Sequence, residues 1–326
     1  MERKELELFL GEDWTRVRDY MSSVLVSDVD LLARTNSSIM EHSGKQLRPM
    51  LALVVARACG GGCNEDTIRF AAATELLHNA TLLHDDVVDS SPERRGTPTI
   101  NSILGPRASI LVGDFWLVKV METVMACDTP VSETGAIFAG TLCNLAEGEM
   151  LQLQKSVSCD TTMEDYLKII YSKTASLFET ACHTAALSIG ACPSELSAAR
   201  EYGRCLGMAF QIRDDILDYS GNNLGKPVGV DLKEKKITLP LLGALARVPD
   251  TEAFHIRRLV SEIGPDADES IEEIRRFVDR NGGVTYAEGV LKEYSGKALQ
   301  ALDGLRDCEE KEILARMVDY LAERES

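Results

Sequence analysis

Apolar residues recur at i, i+3, i+4 and i+7 over most of this chain, and no sustained period-two run rich in β-branched residues interrupts them. A strand puts successive side chains on opposite faces, whereas a helix brings residues three and four apart onto one face, so this spacing commits the chain to helices. The pattern predicts helices over 2–10, 15–40, 49–59, 65–91, 101–127, 131–155, 163–190, 194–220, 237–247, 251–264, 267–281, 283–306 and 308–324. Breaks stand at Gly60-Gly61-Gly62, Pro92, Pro130, Pro193, Gly221-Asn222-Asn223, Pro249-Asp250, Gly264-Pro265 and Gly282-Gly283. Ile110–Ala126, Gly135–Leu153 and Ala175–Ile189 are apolar nearly all round, as helices inside a large bundle are. No Pro/Ser-rich linker, repeat or low-complexity tract divides the 326 residues. The expectation is a single all-α domain over 1–326, with a more polar part from about 250 packed on its outside.

Two acidic clusters sit within this apolar patterning, His84-Asp85-Asp86-Val87-Val88-Asp89 and Arg213-Asp214-Asp215-Ile216-Leu217-Asp218. On a helix, Asp85 and Asp89 share a face, as do Asp214 and Asp218. Carboxylates one turn apart weaken a helix by some tenths of a kcal/mol per pair. A hard divalent cation with oxygen ligands offsets that repulsion. A single Asp-Asp-x-x-Asp reads equally as a solvated acidic helix end. A second copy in another apolar helix points instead to two walls of one cavity, bridged by Mg²⁺ that leaves coordination positions for phosphate oxygens. His78 and Thr81 fall on the same stripe as Asp85 and Asp89, although a histidine there also reads as a satisfied core residue.

The formal net charge is −17, which argues against nucleic acid as a partner. Local basic groups nevertheless stand beside the acidic clusters: Lys45 and Arg48 before a helix start, Arg94 and Arg95 after Pro92, then Lys173-Thr174, Lys226 and the Lys233/Lys235/Lys236 group. Each alone is an ordinary surface charge. As a set beside two metal-type sites they suit a substrate carrying a diphosphate, or two such substrates. The N-terminal residues lack a signal-peptide core, and no apolar run reaches membrane-spanning length. The nine cysteines show no CxxC spacing and fit reduced thiols of a cytoplasmic protein.

In these motifs the chain resembles the trans-polyprenyl diphosphate synthases, head-to-tail prenyltransferases of the isoprenoid-synthase fold. The match runs from about residue 40 to 243. It takes in Gly44-Lys45-Gln46-Leu47-Arg48-Pro49, Leu76 through Asp89, Arg94-Arg95-Gly96, Val112-Gly113-Asp114, Ala146-Glu147-Gly148-Glu149, Lys173-Thr174-Ala175, Gln211 through Asp215, and Gly225-Lys226-Pro227 through Asp231 to Lys236-Ile237-Thr238-Leu239-Pro240. One departure stands out, Ser43-Gly44-Lys45-Gln46 where the family has Gly-Gly-Lys-Arg.

The resemblance implies that Asp85, Asp89, Asp214 and Asp218 hold Mg²⁺, with Mn²⁺ able to substitute. It implies that Arg94, Lys173, Thr174, Gln211, Lys226 and Lys236 contact an allylic diphosphate, with Lys173, Arg94 and Lys226 acting in catalysis. Lys45, Arg48, His78 and Arg95 would hold isopentenyl diphosphate. A homodimer is implied as well. In short-chain members a large aromatic commonly blocks the level just below the first aspartates; here Ala80 and Thr81 stand there, both small. The next obstruction is expected at Phe138 or Leu142, and the product at about six to eight isoprene units, of the kind that become quinone side chains and partition to membranes. The alternatives are a farnesyl or geranylgeranyl diphosphate synthase, a non-catalytic subunit of a heteromeric synthase, and a terpene cyclase. A non-catalytic subunit would be expected to lose metal ligands, and in a cyclase Lys45, Arg48 and Arg95 would be surplus.

Overall fold

A computed structural model of the protein describes residues 3–60, 62–94, 96–219, 229–264 and 267–324. Its elements are helices, with one minimal exception, an antiparallel hairpin of β1 (Glu93–Arg94) and β2 (Thr97–Pro98). The chain forms two compact units, the first of residues 1–140, 179–200 and 302–314, the second of 141–178, 201–301 and 315–326.

In the first unit, α1 (Arg3–Leu10), α2 (Glu12–Val24), α3 (Asp30–Glu41), α4 (Leu47–Gly60), α5 (Glu65–Val88), α6 (Ile100–Leu104) and α7 (Pro106–Met125) follow in order. α5 is the axis of this unit, packed by α2, α4 and α7. Its start is a capping box: the Asn64 side chain accepts from the Thr67 N–H while the Thr67 hydroxyl oxygen accepts from the Asn64 N–H. Met50 through Ala56 of α4 are fully buried, as a helix apolar on every side requires.

Three expected helices are broken. The one over 15–40 is interrupted between α2 and α3, where the buried Asn36 side chain donates to the Leu25 carbonyl at 2.8 Å and accepts from Trp116 Nε1 at 2.8 Å. The one over 101–127 stops at Gly105, φ 83°, and restarts on Pro106, a residue suited to a first helical position. The one over 163–190 contains a π-helical segment at Tyr171–Ala175, between α9 (Met163–Ile170) and α10 (Ser176–Ser188).

A further expectation is corrected. Of the three helices apolar all round, only the stretch around α10 is largely buried. α7 leaves Leu111, Val118 and Met125 exposed at 68%, 55% and 65%. α8 (Val131–Ser158) leaves Met150, Leu153 and Val157 exposed. Apolar residues all round a helix do not require that its own chain covers every face.

In the second unit, α11 (Pro193–Tyr219) supplies residues 201–219, followed by α12 (Val230–Lys233), α13 (Leu239–Leu245), α14 (Asp250–Ser261), α15 (Asp268–Arg280) and α16 (Gly283–Ala301). All seven residues of α13 are buried. α16 comes so close that a Cβ on Gly243 would lie 2.5 Å from Tyr286 Cδ1. α15 is one-sided, burying Ile271, Ile274, Phe277 and Val278 against the α13 core. α17 (Glu309–Glu323) closes the chain.

Candidate active site

The first acidic cluster lies where α5 ends. Asp85 is half-buried in the last turn, and Asp89 is the C-cap, its N–H donating to the Asp85 carbonyl at 2.8 Å. The two therefore stand one turn apart, as the spacing predicts. Asp86, on the other side, is buried and structural. Nε and Nη2 of Arg94 both lie 2.7 Å from its Oδ1, and its carbonyl accepts from Asn101 Nδ2 at 3.0 Å. The hairpin thus brings Arg94 onto the end of α5. Arg95 lies outside the described residues. On the neighbouring helix, Gly113 makes room for His84: a Cβ there would sit 2.3 Å from its Nε2.

Below the aspartates, half-buried Thr81 donates its hydroxyl to the His78 carbonyl at 2.8 Å, and Ala80 is fully buried. From residue 71 to 85 α5 carries neither Phe, Tyr nor Trp. The first such ring down the helix is Phe70, stacked on Phe138 with centroids 6.1 Å apart. Ten residues separate Ala80 from Phe70, about 15 Å of helix at 1.5 Å per residue. Phe70 is a partner that sequence reasoning missed. Leu142 is half-buried and belongs to the other unit. Lys45 lies exposed in the 43–46 loop, and Arg48 is half-buried in the first turn of α4.

In the second unit the aspartates divide their work differently. Asp214 Oδ1 pairs with Arg324 Nη2 at 2.6 Å. That arginine, with a side chain only 7% exposed, also stacks 4.0 Å over the Phe210 ring and donates to the Phe210 carbonyl. Arg213 returns two hydrogen bonds to the Arg324 carbonyl, at 2.8 and 2.6 Å. Asp215 is buried; its Oδ2 accepts from the Tyr166 hydroxyl at 2.6 Å and its Oδ1 from Gln211 Nε2 at 2.9 Å. Burial, and then the neighbouring Asp231, push the Asp215 carboxyl well above the carboxylate range. Thr174 donates to Gln211 Oε1 at 2.7 Å, so Thr174, Gln211, Asp215 and Tyr166 form one chain of hydrogen bonds.

Asp218 accepts from the N–H groups of Val230 and Asp231 at 3.1 and 3.2 Å, anchoring α12. Burial raises its carboxyl despite those donors. Asp231 is pushed up to about 7, by burial first and by Asp218 next. Lys173 lies in the π-helical segment and pairs with Glu149 of α8. Lys236 pairs with Glu234. Lys226 lies outside the described residues. Tyr166, seven residues before the Lys173 motif, and Arg324, far from every motif, lay outside the quoted stretches. Glu149 and Asp231 stood inside quoted motifs without a role.

The donor set tests whether a metal fits. Among the described residues no three His, Cys, Asp or Glu side chains converge as a ready cage. Mg²⁺ is usually held by one or two carboxylates, its own waters and substrate phosphates, and the pair Asp85 and Asp89 at one helix end offers hard oxygen ligands of that kind.

Residues 29–278 match the polyprenyl synthetase family. The chain is 38% identical to the octaprenyl diphosphate synthase of Haemophilus influenzae, over 98% of this chain and 95% of that one. It is 34% identical to the short chain isoprenyl diphosphate synthase of Methanothermobacter thermautotrophicus, over 95% and 94%. Among solved structures it is similar to a decaprenyl diphosphate synthase from Rhodobacter capsulatus, with a TM-score of 0.93 and 34% identity over 100% of both chains.

Proposed function

Because the chain belongs to the polyprenyl synthetase family and has its all-α isoprenoid-synthase fold, we propose that it condenses isopentenyl diphosphate head-to-tail onto an allylic diphosphate and carries the product to about six to eight isoprene units. In this reading the whole chain works as one synthase domain. Asp85, Asp89, Asp214 and Asp218 serve the metal of the allylic diphosphate, with Arg94, Lys173, Thr174, Gln211, Lys226 and Lys236 around it. Lys45, Arg48, His78 and Arg95 serve isopentenyl diphosphate. Mg²⁺, when bound, supplies positive charge that stabilises the leaving diphosphate.

The chain's own residues do the rest by charge and placement. Lys173 and Arg94 already sit on carboxylates, Glu149 and Asp86. A diphosphate reaching them exchanges one anionic partner for another, which spares the desolvation of a bare cation. The allylic C–O bond breaks, the double bond of isopentenyl diphosphate attacks the cation, and a proton leaves to the departing pyrophosphate. The apolar lining of α5 keeps water from the cation.

The observation that carries the long product is the absence of Phe, Tyr and Trp on α5 between residue 71 and Asp85, with the Phe70–Phe138 stack as the floor. Mass spectrometry of products from farnesyl and isopentenyl diphosphates tests it. Ala80→Phe should shorten the product sharply with little loss of the first condensation, and Phe138→Ala should lengthen it. A wild-type product that stops at farnesyl or geranylgeranyl diphosphate removes the long-chain reading and supports the short-chain one, which the M. thermautotrophicus relative favours.

No described helix is long and apolar enough to cross a membrane. We place the enzyme in the cytoplasm as a homodimer whose product passes to the membrane. The support for a dimer is the exposed row Leu111, Val118 and Met125, repeating every seven residues along α7.

A further inference from the structure

The N-terminal helix reaches the loop that carries Lys45. Arg3, the first residue of α1, engages all three nitrogens of its guanidinium. Nε donates to Glu7 Oε1 at 2.7 Å, Nη1 to the Gly44 carbonyl at 2.7 Å, and Nη2 to Gln46 Oε1 at 3.4 Å. Gly44 and Gln46 are the residues on either side of Lys45. One side chain, more than 40 positions away in sequence, therefore brackets Lys45 from both sides.

The bracketed loop holds an unusual conformation. Gln46 has φ 50°, in the left-handed region that a residue with a side chain seldom adopts. Such a backbone persists where its surroundings enforce it, and functional sites are where this recurs. The Gln46 side chain is turned inward and only 6% exposed, while Lys45 beside it is exposed. Arg3 can enforce this because α1 is itself fixed. Leu6 and Leu10 are buried, and Arg57 of α4 donates to the carbonyls of Phe9 and Leu10 at 3.0 and 2.7 Å. Eight residues make no stable helix alone, so docking on α4 is what places Arg3.

We infer that Arg3 is a positioning residue for the isopentenyl diphosphate site: by tying Gly44 and Gln46 it sets the 43–46 loop so that Lys45 is presented to the diphosphate. The inference rests on the assignment of Lys45 made under Proposed function. Arg3 acts through Lys45 and does not touch the substrate.

Steady-state kinetics on Arg3→Ala, Lys45→Ala, the double variant and Gln46→Ala test both layers, with the Michaelis constants of the two substrates measured separately. Lys45→Ala should raise the constant for isopentenyl diphosphate about tenfold or more, as loss of a charge-assisted contact does. Arg3→Ala should raise the same constant about three- to tenfold, leaving kcat and the allylic constant within about twofold. Gln46→Ala removes one acceptor without touching α1 and should move the same constant, so the inference stays testable if Arg3→Ala unfolds. In the Lys45→Ala background Arg3→Ala should add nothing. Lys45→Ala with an unchanged constant overturns the assignment of Lys45 and the inference with it. Lys45→Ala impaired with Arg3→Ala and Gln46→Ala inert, or Arg3→Ala equally damaging in both backgrounds, overturns the inference alone.

Discussion

Asp214 and Asp85 occupy equivalent places in their motifs yet have different neighbours. The sequence alone treats each as a carboxylate whose removal relieves repulsion. Asp85→Ala should lose turnover, as removal of a metal-type carboxylate does. Asp214 is the partner of Arg324, whose side chain is almost wholly buried. Asp214→Ala should therefore lose turnover and also about 1–2 kcal/mol of stability, because a buried cation is left unpaired. The Asp214 side chain is 42% exposed, and solvent screening keeps that figure modest. An Asp214→Ala midpoint equal to that of the wild type in thermal denaturation would contradict the Arg324 contact. Asp231 gives a prediction in pH. Its folded carboxyl titrates at about 7, against about 3.9 when unfolded. The folded chain holds a proton there that the unfolded chain releases, so this stabilisation is full below about pH 4 and is lost as pH rises through about 7. In chelator-treated protein, the midpoint of the wild type relative to Asp231→Asn should fall from pH 5 to pH 8. The comparison cancels His183, whose burial lowers its pKa and acts with the opposite sign in the same range. A difference that is flat or rising over this range contradicts the buried setting of Asp231.

At the scale of elements, the helices were legible because their cause is local: apolar spacing sets the buried face, and the Gly60-Gly61-Gly62 break precedes α5. The spacing of Asp85 and Asp89 was legible for the same reason. What was not legible has non-local causes. The π-helical segment leaves the apolar pattern nearly unchanged, yet two glycines from other helices fit closely against it. A Cβ on Gly148 of α8 would lie 2.6 Å from Ser172 Cβ, and one on Gly207 of α11 would lie 2.5 Å from Ala175 Cα. Arg324 reaches Arg213 across more than a hundred residues, a distance no motif encodes. Gly148→Ala should move Lys173 with the segment, raising the Michaelis constant for the allylic substrate about tenfold. Gly207→Ala meets backbone and should cost stability first, about 1–3 kcal/mol, as overpacking does. Calorimetry beside kinetics separates the two, and a silent Gly148→Ala would remove the segment from the site.

The molecule as a whole leaves an apolar row on α7 that its own chain does not cover. Val118→Glu with Leu111→Glu should convert a dimer to a monomer in sedimentation, with helical content preserved, since exposed substitutions cost a lone chain within about 0.5 kcal/mol. Sedimentation of the wild type as a monomer at micromolar concentration would end the dimer reading. α5 bears on the catalyst as a whole in another way. It is clamped at both ends: Asn64 donates to the Ser188 carbonyl at 2.6 Å at its start, and Arg94 and Asn101 grip Asp86 at its finish. In the proposed reading, with Phe70 as the floor, the aspartates and that floor ride on one rod, so their separation cannot drift with loop motion. A gauge of that kind has a fixed tolerance. It counts in whole isoprene steps, and its errors appear as a neighbouring rung of the product ladder rather than as a broad smear of lengths.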